Sequence, residues 1–257
     1  MGIKPDDKKQ FLTVGIFLVI YALLVLITYI FIPLEQLASG QEMPAPMTSM
    51  PRWLFGIAAA IFVVILYGLL GLAGYWFSIR LTWQRIYRVD AGWRQWAAMP
   101  AIWGLAIGVL MVVADQVISR VGGVKSIPHP AFPFSIIASA SAGIGEEILF
   151  RFFVMGLWAY ILTRFMKSPQ GTKTAFWVAN IIAALGFSAS HMPTAMFLFG
   201  VSTPADLPIP TIIELVILNS LVGLVAGDRY IKYGLVAAIG IHFWADILWH
   251  VLWPLVA

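Results

Sequence analysis

Two adjacent glutamates, an arginine, three histidines and an aspartate recur at helical spacing inside stretches that are otherwise almost wholly apolar. One stretch reads Gly145-Glu146-Glu147-Ile148-Leu149-Phe150-Arg151. A second reads Phe187-Ser188-Ala189-Ser190-His191, and a third His242-Phe243-Trp244-Ala245-Asp246 with His250 four residues on. Glu147 and Arg151 are four apart, so they share a helix face and can pair. Glu146 lies about 100° further round the same helix and points elsewhere. One arginine cannot neutralise two carboxylates, which leaves one carboxylate free for acid–base work. His242 and Asp246 project the same way for the same i, i+4 reason. Each group alone has a plain reading: a histidine that hydrogen-bonds between helices, an intrahelical His–Asp bond, a neutral Glu–Arg pair. As a set they suit two chemistries. One is a metal site of histidine and carboxylate ligands with a further carboxylate as base. The other needs no metal: a glutamate in a low-dielectric site deprotonates a water, a histidine shares the proton, and a His–Asp pair steadies the oxyanion. Both hydrolyse an amide, and spacing alone does not choose between them.

The elements that must position these groups are membrane spans. Of the 257 residues, 61% are hydrophobic and only 11% charged, with no cysteine. A soluble domain carries about 25% charged residues, so a soluble surface of this size is excluded, as are a disordered chain and a disulfide scaffold. Stretches of about 20 apolar residues, enough for a spanning helix, fall at 11–32, 53–79, 96–118, 132–162, 174–200, 211–227 and 235–256. The expected fold is therefore all-α: a polytopic helix bundle of about seven spans, the fourth kinked or re-entrant at its start. Ionisable residues within these spans are Asp115, Glu146, Glu147, Arg151, His191, Glu214, His242, Asp246 and His250, and at membrane depth each is a functional candidate. Asp115, Glu214 and His250 read equally well as supporting partners of a site or as packing residues.

Basic residues set the orientation. Lys4, Lys8, Lys9, Arg80, Arg85, Arg88, Arg94, Arg164, Lys167, Lys173, Arg229 and Lys232 fall on one side. Only Arg52, Arg120 and Lys125 fall on the other. The positive-inside rule puts the N-terminus in the cytoplasm. The net charge of +4 thus reports topology, not nucleic-acid binding. The first apolar run exceeds the 7–15 residues of a signal-peptide core, so it reads as a retained anchor despite Ala38-Ser39-Gly40 downstream. The Pro-rich stretches 43–51 and 202–210 read as loops.

The three motifs resemble those of the CAAX-protease and bacteriocin-processing family of intramembrane proteases, also called abortive-infection proteins. Its pattern is Glu-Glu-x-x-x-Arg, then Phe-x-x-x-His, then His-x-x-x-Asn/Asp, each on its own membrane helix. These stand here as Glu146-Glu147-x-x-x-Arg151, Phe187-x-x-x-His191 and His242-x-x-x-Asp246. The resemblance covers roughly 132–250, and Gly223 to Asp246 also resembles the family's approach to its last motif. It implies an intramembrane endopeptidase acting on a membrane-associated protein or peptide, prenylated CAAX-like ones included. Glu146 and His191 would activate water, and His242 and Asp246 would form the oxyanion site. Glu147 and Arg151, with Phe187, would hold the arrangement. No cofactor is the favoured expectation. The alternative is a divalent metal such as zinc on His191, His242, Asp246 and Glu146. Asp246 stands where the prenyl-protein proteases have Asn, and a carboxylate is the poorer oxyanion donor but the better metal ligand. The implied partners are a membrane-embedded or lipid-modified peptide and the bilayer, without nucleic acid, in a multi-pass plasma-membrane protein. Within its single membrane domain, residues 1–130 supply N-terminal helices and a basic loop, and 131–257 the catalytic helical core.

Other hydrolytic classes fit less well. His-Glu-x-x-His and Gly-x-Gly-Asp are both absent from the sequence. Gly186-Phe187-Ser188 with His242 is a loose match to a serine mechanism that leaves the glutamate pair unexplained. A proton-coupled transporter would also use buried Glu, His and Asp, but the chain shows no inverted repeat. A non-catalytic scaffold is the remaining alternative.

Overall fold

The computed structural model describes residues 5–32, 49–83 and 85–256, and every regular element among them is helical. Helices α1 (Pro5–Phe31) and α2 (Arg52–Arg80) pack side by side. Helix α3 (Met99–Gly122) follows a π-helical turn at Arg94–Ala98. Helix α4 (Phe134–Glu147) runs through a π-helical stretch, Ile148–Met155, into α5 (Gly156–Leu162). Helices α6 (Pro169–Ser190) and α7 (Met192–Phe199) meet at His191, and α8 is Ile209–Tyr233. Helix α9 (Leu235–Asp246) continues as a π-helical stretch, Ile247–Leu252, and closes in a 3-10 turn, Trp253–Leu255.

Among the described residues, six helical segments are long and apolar enough to cross a membrane: Asp6–Phe31, Arg52–Arg80, Arg94–Gly122, Pro169–Phe199, Ile209–Tyr233 and Leu235–Leu255. The expected fourth span departs from this set. It is one helical run, as expected, but Glu146, Glu147 and Arg151 sit in its middle, and any spanning-length piece of it contains all three. The expected fifth span is present as Pro169–Phe199, with a turn at His191 between α6 and α7. Of the expected loops, 202–210 holds a single 3-10 turn, Pro204–Asp206, before α8 begins. The residues Ala38-Ser39-Gly40, Lys4 and most of the 43–51 stretch lie outside the described residues.

Outward faces are apolar, as lipid solvent requires. Leu12, Ile16, Val19 and Leu23 of α1 and Ile61, Phe62, Ile65 and Leu69 of α2 are all exposed. The innermost helix is α9, where Leu235, Ala238, Ile241 and Ala245 are fully buried. Small residues let the backbones approach, the usual device where no water drives association. At Gly104 of α3 a Cβ would fall 2.5 Å from the Ile241 carbonyl oxygen.

The basic loop between α2 and α3 does more than mark topology. It folds beneath the bundle and caps the start of α9: Leu235 and Val236 donate their N–H groups to the carbonyls of Arg85 (3.2 Å) and Ile86 (2.8 Å). Gly234 makes this turn at φ +94°, and a Cβ there would lie 2.7 Å from the Ile86 carbonyl oxygen. Only glycine meets both demands. From α1, the buried Gln10 amide accepts from Ile86 N (2.9 Å) and donates to Tyr87 O (3.0 Å), while Arg85 pairs with Asp7. The start of α9 is thereby tucked inside the fold. This matters for the site, because a count of residues from the membrane edge would place His242 at a different depth from Glu146 and His191.

Candidate active site

Glu146 and Glu147 are the last residues of α4 before its π-helical stretch, and Asp246 is the last of α9 before its own. Such wide turns recur at functional sites because they re-aim side chains that regular winding would direct elsewhere. Here the two junctions face one another, since α4 and α9 are packed together.

Glu147 is fully buried and held from two sides. Its Oε1 accepts from His242 Nδ1 at 2.8 Å, and its Oε2 lies 3.4 Å from Arg151 Nε. Arg151 is equally buried, and its guanidinium lies over the Phe187 ring at 4.6 Å, a cation–π geometry. Room for the guanidinium comes from Gly223 of α8, where a Cβ would meet Arg151 Nη2 at 2.6 Å. Phe187 also meets both imidazoles edge to face, His191 at 4.8 Å and His242 at 5.4 Å between ring centres. One arginine and one phenylalanine thus brace both histidine-bearing helices against α4.

Hydrogen-bond partners settle the tautomers. His191 Nδ1 lies 2.9 Å from the Phe187 carbonyl oxygen, which can only accept, so Nδ1 carries the hydrogen. His242 Nδ1 faces a carboxylate paired with arginine and donates likewise. In the neutral imidazoles both Nε2 atoms are then acceptors, and both turn to Glu146: its Oε2 is 3.8 Å from His191 Nε2 and 3.7 Å from His242 Nε2. Asp246 Oδ2 stands 3.5 Å from the same His242 nitrogen. These separations are too long for direct hydrogen bonds. Glu146 Oε2 has no hydrogen-bond partner, and its side chain keeps 30% exposure, whereas Glu147 has none. The two neighbouring carboxylates therefore differ: one is locked in structure, the other is open.

The open carboxylate faces two cavities. One of about 140 Å³ is lined by Glu146, His191, Asn219, His242, Asp246 and His250. A larger one of about 480 Å³, mostly apolar, shares Glu146 and His191 and extends along Tyr21, Tyr29, Phe134 and Leu198. Helix α1 closes its flank, with Tyr21 packed on Gly145, where a Cβ would fall 2.5 Å from the tyrosine hydroxyl.

Every site residue expected from sequence joins this cluster: Glu146, Glu147, Arg151, Phe187, His191, His242 and Asp246. Among the described residues no group of three or more His, Cys, Asp or Glu is placed to hold an ion. Asp115 of α3 and Glu214 of α8 are fully buried carboxyls outside this cluster, and neither Glu214 oxygen has a hydrogen-bond partner among the described residues. His250 lines both cavities and bonds His129, Nδ1 to Nδ1 at 3.0 Å. Sequence reasoning missed His129 because it lies in the loop between α3 and α4, outside any span. Burial pushes its imidazole below the usual histidine range, and the Asp115 carboxylate pulls the other way. Asn219 was missed because an amide does not titrate; its helical register with Leu215 and Val222 was the available signal.

Fold and site define a multi-pass helical membrane protein with a glutamate–histidine cluster enclosed in its bundle. Residues 128–248 match the family model described as type II CAAX prenyl endopeptidase Rce1-like. That stretch is thus similar to the CAAX prenyl endopeptidases, and it contains the whole cluster from Glu146 to Asp246, whereas α1, α2 and α3 precede it. No curated protein and no solved structure matches the chain.

Proposed function

We propose that the chain is an intramembrane endopeptidase in which Glu146 is the general base. The observation that carries this is the Glu146 side chain, partly exposed where two cavities meet, with its buried, unpartnered Oε2 3.8 and 3.7 Å from the Nε2 atoms of His191 and His242. A water bridging Glu146 and His191 gives its proton to the carboxylate as its oxygen attacks the scissile carbonyl carbon. The carbonyl electron pair moves onto oxygen. When that pair returns, the C–N bond breaks and the leaving nitrogen takes the proton back from Glu146. Glu147 and Arg151 keep His242 in its Nδ1–H tautomer throughout, and no step is routed through a metal. The substrate class is a membrane-associated peptide, lipid-modified ones included, whose apolar part fits the larger cavity. The basic-residue bias supports a plasma-membrane protein with its N-terminus in the cytoplasm, in which residues 1–130 enclose a catalytic core at 131–257.

The test is cleavage of fluorogenic peptides, prenylated and unmodified, by protein in liposomes. Wild type and Arg80→Ala, a change remote from the cluster, should cleave alike. His191→Ala should lose about 10²-fold in rate, the lower range for a lost proton-transfer partner. Phenanthroline should leave wild-type cleavage unchanged. Full activity in His191→Ala would overturn the assignment, and abolition by the chelator would replace the metal-free mechanism.

A further inference from the structure

The side from which a peptide can reach Glu146 follows from where the larger cavity ends. Helices α1, α3 and α9, and α6 with α7, run away from the basic side of the bundle; α2, α4 and α8 run back toward it. The 480 Å³ cavity is lined by Thr28 and Tyr29 late in α1, His129 in the loop before α4, Phe134 at the start of α4 and Leu198 at the end of α7. Each of these lies at the end of its element remote from the basic side. His250, also in the lining, is eight residues past His242, about two turns further the same way. Of the lining residues only Pro128, Pro130, Ala131 and Thr194 are exposed, and all four lie at that same end.

The basic side is closed. Ile148, Arg151, Phe152 and Met155, which follow Glu147 toward that side, are fully buried. Ala183 of α6, Tyr230 of α8 and Leu235 and Ala238 of α9 complete the same layer, equally buried. Beneath it, the loop at Arg85–Tyr87 is hydrogen-bonded to the start of α9 and to Gln10. Among the described residues, neither cavity at the cluster is lined by this loop or by the basic turns around Lys167 and Arg229.

A peptide bond is open to attack only where its backbone is unwound, and unwound backbone needs polar partners that lipid cannot supply. Such partners lie along the cavity. Ser141 Oγ, on α4 between Phe134 and Glu146, is buried in the lining without a hydrogen-bond partner, and the His129–His250 pair stands nearer the mouth.

We propose that the site is entered from the face opposite the basic loops, the extracytoplasmic face under the positive-inside assignment. Its substrates are then exported or outer-leaflet-anchored peptides, not peptides with a lipid on a cytoplasmic terminus. The chemistry rests on the endopeptidase reading; the side of entry rests on the cavity and the basic-residue bias.

The chain has no cysteine, so single cysteines report sides without background. In intact bacterial cells expressing the protein, Glu146→Cys and Thr194→Cys should react with a membrane-impermeant methanethiosulfonate added outside. Lys167→Cys should react only in inside-out vesicles. Wild-type protein should cleave a lipid-anchored fluorogenic peptide added to spheroplasts, and that cleavage should be lost in inside-out vesicles and restored by detergent. Labelling of Glu146→Cys only from the side that labels Lys167→Cys, or from neither side, overturns the proposal. So does labelling of Lys167→Cys on intact cells, or cleavage confined to inside-out vesicles. Should Glu146→Cys not fold, Thr194→Cys labelling and the side of wild-type cleavage decide alone. If wild type cleaves nothing even in detergent while Glu146→Cys is labelled from outside, the endopeptidase reading falls and the side of entry stands.

Discussion

Glu146→Gln is expected to lower kcat for peptide cleavage by about 10³-fold, near the middle of the range for removing a general base, and to leave KM and stability almost unchanged. Glutamine has the same shape but cannot take a proton from water. Stability should hold because Glu146 accepts no hydrogen bond at Oε2 and keeps 30% exposure toward the cavities, so its replacement orphans nothing. Its neighbour should behave differently. Glu147→Gln removes the charge that pairs with Arg151 and holds His242 Nδ1, so it should lower stability and activity together. Two adjacent, chemically identical residues thus give separable phenotypes, read by kinetics in liposomes and thermal unfolding in detergent. Wild-type turnover in Glu146→Gln would sink the general-base role. The cluster would then revert to a proton relay of the kind transporters use, testable as pH-driven proton flux into vesicles.

Much of this site could be read from spacing. The i, i+4 relation of Glu147 and Arg151 survives as a 3.4 Å contact, and that of His242 and Asp246 as one of 3.5 Å. Scarcity of charge identified the solvent, and the few charges left within spans identified the cluster. What periodicity could not convey is where regular winding stops. The π-helical stretches after Glu147 and Asp246 and the turn at His191 are set by packing between helices, and each decides which way a motif residue points. Depth was illegible for a related reason. Counting from the membrane edge placed His242 too near one face for it to meet Glu146, unless a span tilted or protruded. The loop at Arg85–Tyr87, tied to Gln10 and to the first residues of α9, sets that helix start inside the fold. Those contacts join residues 76 to 150 positions apart, which no local pattern encodes. His129 and Asn219 escaped for want of a sequence criterion, one as a loop residue and one as an uncharged amide.

Arg151→Met should be the most destabilising single change in the cluster, by about 3–5 kcal/mol, because it leaves a fully buried carboxylate without its counter-charge. Methionine fills most of the space and preserves contact with Phe187, so the loss reads the charge more than the volume. It should also reach catalysis indirectly: Glu147, freed from Arg151, no longer fixes the His242 tautomer, and Nε2 loses its set relation to Glu146. The double variant Glu147→Gln with Arg151→Met distinguishes this from simple loss of packing. With both charges gone nothing is left uncompensated, and stability should return toward wild type, since buried ion pairs contribute little net stability against well-packed neutral residues. Activity should not return, because His242 would then face an amide in place of a carboxylate. A double variant no more stable than Arg151→Met would mean that the guanidinium acts through its stacking on Phe187 and its fit against Gly223. One that regains both stability and turnover would show that Glu147 holds no tautomer that catalysis requires.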